Sequence, residues 1–392
     1  MPARSRLDLR KPFAAPRRRI AALLAPAITM AGILCGPFQA SAQPTESIHL
    51  TMPVLYGTHL PGLGKPARDW ALLTQQLSGK TLRISILQPG EGPAPQELLD
   101  AVSSGKVDAA FSKASFWADR FPAASLFAGF PFGPDAPGYA AWFRGGNGLK
   151  LYQKMYDDAG LSVHVLPCAF AGAETSGWFA KPLQTVADID GLRMRIFGQG
   201  GLVMRRLGAV PALVPGSELE QAFESGKIDA AEFYPPAVDA EAHLGKIAKY
   251  IYVPGWHQPE TVMELLINKD RWSALSDRQQ SWIETACDAT LLRTMAENPV
   301  HASEALKGFA AEGVEIKTWP TPLLEAFHRS WEEIANDQAR QDAFFAEVFD
   351  DLRAFRARQA PGLSGPQGAA AEPLTASTPP EDDGEEDAAD RP

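Results

Sequence analysis

The chain has 392 residues, with 37 Lys and Arg against 47 Asp and Glu, for a net charge of −10. An acidic surplus of this size argues against a nucleic-acid partner. The length exceeds what one hydrophobic core supports, so two structural units are expected once the ends are set aside.

Residues 1–42 read as a secretory signal peptide. Basic residues run from Arg4 to Arg19, an apolar stretch covers 20–34, and Ala40-Ser41-Ala42 before Gln43 is a small-x-small cleavage pattern. Arg17-Arg18-Arg19 hints at twin-arginine export, and the sequence around Cys35 is a poor lipoprotein signal. The mature chain is therefore expected to be periplasmic, cleaved near Ala42-Gln43, with its net charge lowered to −16. No later stretch holds about 18 uninterrupted apolar residues, so no membrane span is expected.

Residues 48–55 and 82–87 alternate as strands around a 68–77 helix, and a second strand–helix–strand passage runs through 98–111. Residues 139–159 are helical with an interruption at 145–148, and 163–167 is a strand that crosses to a second unit. There, 185–189 leads into strand 192–196, followed by a helix near 201–207 and strands at 212–214 and 229–233. This alternation implies mainly parallel α/β sheets. Residues 277–312 and 321–359 each carry a long helical pattern, too long for one unit at about 1.5 Å per residue. Either they span both units, or they break near Asn298-Pro299 and Asn336-Asp337. The last segment, 360–392, is rich in acid and Pro and is expected to be disordered.

One phrase occurs twice: SGKVDAA at 104–110 and SGKIDAA at 225–231. Each closes an amphipathic run, so Gly105 and Gly226 read as left-handed helix caps before a strand. A spacing of 121 residues is the size of one α/β lobe, not of a solenoid repeat. The expected fold is α/β, with two lobes, a hinge cleft and long C-terminal helices spanning the lobes. Lobe I covers 43–165 with a return segment at 255–300; lobe II covers 166–254 with a return at 314–335. A cleft between matched lobes is a place for a small ligand.

No catalytic signature is present: there is no GxSxG, HExxH, CxxC, phosphate loop or GxGxxG after a strand. The chain is not expected to be an enzyme. Cys168 and Cys287 are too few for a disulfide framework, and two buried free thiols are favoured over one bridge. Three segments concentrate unusual side chains. In 192–196, alternation puts Arg193 and Arg195 on one face; Arg193 suits a surface pair with Asp188 or Asp190, and Arg195 suits a ligand carboxylate in the crevice. In 229–236, Glu232 is followed by Phe233, Tyr234 and two prolines, and pairs either with a cation or with Arg195. Residues 250–259 form an aromatic turn that includes Trp256.

The segments GWFAKPLQTVADIDGLRMRI (177–196), GAVPALVPGSELEQAFESGKIDAAEF (208–233) and AKYIYVPGWHQPETVMELLINKDRWSALS (248–276) resemble the solute-binding proteins of tripartite ATP-independent periplasmic (TRAP) transporters, DctP type. The resemblance covers about 48–350 and is nearest the 2-oxo acid and organic-acid binders. It implies that Arg195 pairs with the ligand carboxylate. It also implies a bridging Na⁺ or Ca²⁺ on Glu174, Glu232, the Phe233 carbonyl and Gln258, with no other cofactor required. Trp178, Phe233, Trp256, Phe116 and Trp117 would shape the pocket. The implied partners are a small organic acid, the small and large TRAP membrane subunits, and a second copy through the C-terminal helix. An orphan receptor feeding a sensor kinase and a periplasmic enzyme on organic acids are the alternatives. Phe233 replaces the family's usual Trp, and Pro235-Pro236-Ala237 replaces a Gly-Pro-aromatic run, which reshapes the pocket and leaves the substrate open.

Overall fold

The computed structural model describes residues 47–359; the expected signal peptide (1–42) and acidic tail (360–392) lie outside the described residues. Strands β1 (Ile48–Pro53) and β2 (Leu82–Leu87) pair in parallel around a helix at Lys65–Leu77. Beside them stands a sheet of order β3 (Ala109–Ser112), β10 (Val262–Asn268) and β4 (Val163–Phe170), joined to β1 by a bridge between Val54 and Phe111. The second body is a six-stranded sheet. Its order is β11 (Glu315–Thr318), β9 (Tyr250–Val253), β5 (Gly177–Phe179), β8 (Ala230–Ala231), β6 (Arg193–Arg195) and β7 (Val210–Pro211). The fold is α/β and two-lobed.

The two copies of the repeated phrase do the same work. Helices Leu98–Ser103 and Leu219–Glu224 end at Gly105 (φ 73°) and Gly226 (φ 67°), and the following residues enter β3 and β8. The repeated aspartates then lock the neighbouring strand: Asp108 accepts from the Thr51 N–H at 2.8 Å, and Asp229 from the Arg193 N–H at 3.2 Å.

The sheets are less parallel than the alternation implied. β10 runs antiparallel to β3 and β4, and β5 runs antiparallel to β8 and β9. These are the strands on which the chain changes lobe, and such a crossing needs no return helix. The expected strand at 212–214 falls instead at Val210–Pro211.

Asp277–Ala311 is one continuous helix of 35 residues, with Pro299 inside it. At about 52 Å it is long enough to serve both lobes, and it packs on β4 and the Lys65–Leu77 helix as well as on β11 and the Pro236–Glu241 helix. The other long pattern does break, at Asp342 rather than near Asn336, into helices Thr321–Gln341 and Ala343–Gln359. Asp342 leaves the helical conformation and its side chain accepts from the Phe345 N–H at 2.8 Å.

The cysteines are not free. Cys168 on β4 and Cys287 on the long helix form a disulfide, with Cα atoms 4.3 Å apart. Their 119-residue separation hid a proximity that only the packing of that helix on β4 creates.

Candidate functional site

Strand ends of the six-stranded sheet build the site. β6 and β8 are parallel neighbours with Arg195 in register with Ala231, so Glu232, one residue on, sits beside the Arg195 side chain. Nη1 of Arg195 donates to Glu232 Oε2 at 3.0 Å and also to the Glu232 carbonyl. Glu174 reaches the same place from the loop between β4 and β5, and His257 from the loop between β9 and β10. The two loops are joined by the Glu174 N–H donating to the Gln258 carbonyl at 3.1 Å. Gly255 permits this approach, since a Cβ there would lie 2.2 Å from the Glu174 carbonyl oxygen. His257 Nε2 lies 3.2 Å from Glu174 Oε2. Carboxylate oxygens of Glu174 and Glu232 and a ring nitrogen of His257 all fall within 4.8 Å of one another.

All four residues are between 5% and 7% exposed, so their charges are held away from water. Burial and the charge of Glu174 push the Glu232 carboxyl up to about 7. Burial also opposes the charge on Glu174, but its hydrogen bond to His257 and the nearby Lys113 hold that carboxyl below its usual value. The pair is thus split, one carboxylate firmly ionised and the other resisting. Behind them, Asp239 accepts from Trp178 Nε1 at 2.8 Å, the Tyr234 N–H at 3.0 Å and Thr175 Oγ1 at 3.3 Å, while burial pushes its own carboxyl well up.

The hydrogen bonding of the cluster is incomplete. Eight buried side-chain polar atoms lack a partner among the described residues, and three of them are here: Tyr56 Oη, Arg195 Nε and His257 Nδ1. Unpaired buried groups are costly, and in a native protein they call for a bound partner.

The residues expected from the sequence divide into two sets. Arg195, Glu174 and Glu232 come together, and the Phe233 ring lies 5.2 Å from the Arg195 guanidinium. Gln258 contributes its carbonyl to the Glu174 N–H, while its side chain donates to Thr261 Oγ1 at 2.9 Å and to the Ala128 carbonyl at 3.3 Å. Phe116 is exposed, with Lys113 Nζ 5.8 Å from its ring centre. The three tryptophans are buried in the hydrophobic cores. Trp178 meets Phe309 edge-on in the second core, Trp256 stacks on Phe327, and Trp117 donates to Glu264 at 3.1 Å.

Arg193 pairs with Asp229, not with Asp188 or Asp190, its Nε lying 2.7 Å from Oδ2 and its Nη2 2.6 Å from Oδ1. Asp229 is next to it across the β6–β8 edge, and Asp188 is already occupied by the N–H groups of Gln184 and Thr185. Sequence reading passed over His257, Tyr56 and Phe197, whose ring lies 4.3 Å from the Arg195 guanidinium. His257 sits inside the aromatic turn singled out above; nothing local marked the other two.

The donors suit a hard cation. Two carboxylates converge with too little positive charge between them, and Na⁺ and Ca²⁺ prefer oxygen ligands of this kind. Two open surface cavities, of about 350 and 330 Å³, lie elsewhere, one bordered by His243 and His301, the other by Leu291 and Leu292. Neither includes a buried charge.

A two-lobed α/β body whose buried, under-paired polar cluster sits on strand ends defines a receptor for a small polar solute. The chain belongs to the bacterial extracellular solute-binding proteins, family 7 (DctP), whose model matches residues 62–342. It is 32% identical over 281 residues, 72% of this chain and 77% of the relative, to a monocarboxylate 2-oxoacid-binding periplasmic protein of Nostoc sp.. Among solved structures, it is similar to a TRAP transporter solute-binding protein of Bordetella bronchiseptica that holds copurified calcium and picolinate. The identity is 26% and the TM-score 0.75, covering 80% of this chain and 93% of that one. A TRAP solute-binding protein of Pseudoalteromonas atlantica with bound sodium and pyruvate matches at 27% identity and a TM-score of 0.74, over 80% of this chain and 95% of that one. The counterpart from Colwellia psychrerythraea, with calcium and pyruvate, matches at 27% and 0.75 over the same shares. The protein is thus a substrate-binding receptor and not an enzyme. Among the described residues no helix is long and apolar enough to cross a membrane.

Proposed function

We propose that this protein captures a small organic acid, a 2-oxo or 2-hydroxy monocarboxylate, in the periplasm and delivers it to TRAP membrane subunits. The observation that carries this reading is the group of unpartnered buried polar atoms around Arg195. Arg195 already gives one nitrogen to Glu232, and its Nε is left to meet a ligand carboxylate. Tyr56 Oη comes from the facing lobe and would donate to a second ligand oxygen. Glu174 and Glu232, with the Phe233 carbonyl and Gln258 from the same loops, would hold Na⁺ or Ca²⁺. When bound, such an ion would supply the positive charge shared by the ligand oxygens and the two carboxylates. The relatives from Bordetella, Pseudoalteromonas and Colwellia, each with a bound cation and an organic acid, support the reading.

Because the cluster is nearly closed to solvent, entry requires the lobes to part, and the ligand holds them together through contacts that the open form lacks. The test is calorimetric titration of the mature protein with 2-oxo and 2-hydroxy acids, with and without Na⁺ and Ca²⁺. Arg195→Met is expected to weaken binding by about 2–5 kcal/mol, the cost of removing one partner of a buried ion pair. An affinity that barely moves would place the carboxylate elsewhere and end this reading. Glu232→Gln is expected to abolish the cation dependence.

A further inference from the structure

Asp239 lies on the Pro236–Glu241 helix, fully buried, and its two oxygens serve different parts of the chain. Oδ2 accepts from Trp178 Nε1 at 2.8 Å and from Thr175 Oγ1 at 3.3 Å, both on the stretch that carries Glu174. Oδ1 accepts from the Tyr234 N–H at 3.0 Å, on the turn that carries Glu232. The sheet does not fix these two stretches against each other at the carboxylates. The β5–β8 ladder pairs Phe179 with Ala230 and ends at Trp178 with Ala231. Glu232 lies one residue past that end, and Glu174 four residues before Trp178. Other bonds hold each stretch to a different neighbour. Ser176 donates its N–H to the Tyr252 carbonyl at 2.7 Å and its Oγ–H to the Pro254 carbonyl at 2.6 Å. The Glu232 N–H donates to the Arg195 carbonyl on β6 at 2.8 Å. Beyond the ladder, the hydrogen bonds among the described residues that join one stretch to the other pass through Asp239.

We propose that Asp239 is a positioning residue for cation capture: by bonding both stretches at once, it holds Glu174 and Glu232 at a spacing that one Na⁺ or Ca²⁺ can share. The inference rests on the proposed cation-assisted binding and deepens it. Carboxylate oxygens of Glu174 and Glu232 lie within 4.8 Å of each other, and when both are ionised they repel. A single carboxylate that grips both stretches opposes that spreading. An aspartate that only closed the start of its own helix would need the Tyr234 N–H and neither of the other donors. Trp178 gains a role by the same bond: it stands in the core and meets the site through Asp239. Side chains that orient ion ligands from behind change the affinity for the ion by about 10–100-fold when they are replaced.

The experiment titrates Ca²⁺ by calorimetry into the mature full-length protein, with pyruvate in excess and again without it, and records urea denaturation in chelator alongside. Asp239→Asn keeps the shape but turns an N–H toward one set of donors, releasing one stretch. It is expected to raise the Kd for Ca²⁺ at least about tenfold. Thr175→Val keeps every charge and removes one bond on the Glu174 side, for an expected rise of about threefold. The double variant is expected to bind Ca²⁺ no more weakly than Asp239→Asn alone, because both act through one grip. If Asp239→Asn lowers stability but leaves the Kd within about twofold of wild type, Asp239 is a brace for its helix and the proposal falls. A loss in Asp239→Asn with none in Thr175→Val would assign the effect to charge instead of position, and would overturn it as well. Should Asp239→Asn fail to fold, Thr175→Val decides alone, and an unchanged Kd ends the proposal. If Ca²⁺ binds the wild-type protein in neither titration, the cation reading falls and takes this proposal with it. Pyruvate binding in chelator then shows whether the organic-acid reading stands.

Discussion

Two buried carboxylate clusters in this molecule invite comparison, because one is complete and the other is not. Glu264, fully buried on β10, accepts from Ser112 Oγ at 2.8 Å, Trp117 Nε1 at 3.1 Å, Tyr152 Oη at 2.6 Å and Tyr156 Oη at 2.8 Å. Four donors fill the four acceptor positions of one carboxylate. Glu174 and Glu232 are nearly as buried, yet they crowd each other, only Glu232 is paired with an arginine, and they stand among unpaired atoms of Tyr56, Arg195 and His257. Burial alone does not mark a functional carboxylate. The first cluster is finished by the chain and holds lobe I together; the second is left for something to complete.

Removing Glu264 breaks the comparison at its strongest point. Glu264→Ala would leave four donors without an acceptor, and the expected loss is about 3–5 kcal/mol of folding stability, read from urea denaturation. If stability changes by less than about 1 kcal/mol, the network is not the keystone described here. Next comes the Cys168–Cys287 bridge, which belongs to the same scaffold and closes a loop across a separation of 119 residues. Replacing both cysteines by serine is expected to cost about 2–4 kcal/mol, with ligand affinity per folded molecule preserved. A selective loss of affinity would instead make the bridge part of the site.

The scaffold and the site were not equally legible in the sequence. The twin SGK phrases gave away the two lobes, because a glycine cap between an amphipathic run and an apolar one has a single local meaning. Strand alternation separated Arg195 from Met194, and the family resemblance put Glu174 and Glu232 beside it. The relations that failed to show were those made by neighbours in space. Arg193 was matched with acids close in sequence, whereas its partner Asp229 comes from the adjoining strand. The pairing of Cys168 with Cys287 depends on where a 35-residue helix lies. Tyr56 carries no motif at all; it matters because the end of β1 leads it to Tyr234 with its hydroxyl unpartnered.

The smallest effect tests the electrostatics of the incomplete cluster. In cation-free buffer the Glu232 carboxyl is raised from 4.5 to about 7, so the folded state holds that proton more tightly than the unfolded chain does. The stability it contributes is fully present below about pH 4.5 and is lost as the pH rises through about 7. Glu260, buried and raised to about 8, adds a limb of the same sign. The ligand-free protein is therefore expected to lose about 2–3 kcal/mol from Glu232 between pH 5 and 8, measured by denaturation in chelator. Glu232→Gln should flatten that part of the curve and leave the Glu260 limb. Added Ca²⁺ should raise stability more at pH 8 than at pH 5, since it competes with the proton for the same oxygens. An equal rise at both pH values would mean that the cation binds away from Glu232, and the two carboxylate clusters would then differ less than their hydrogen bonds suggest.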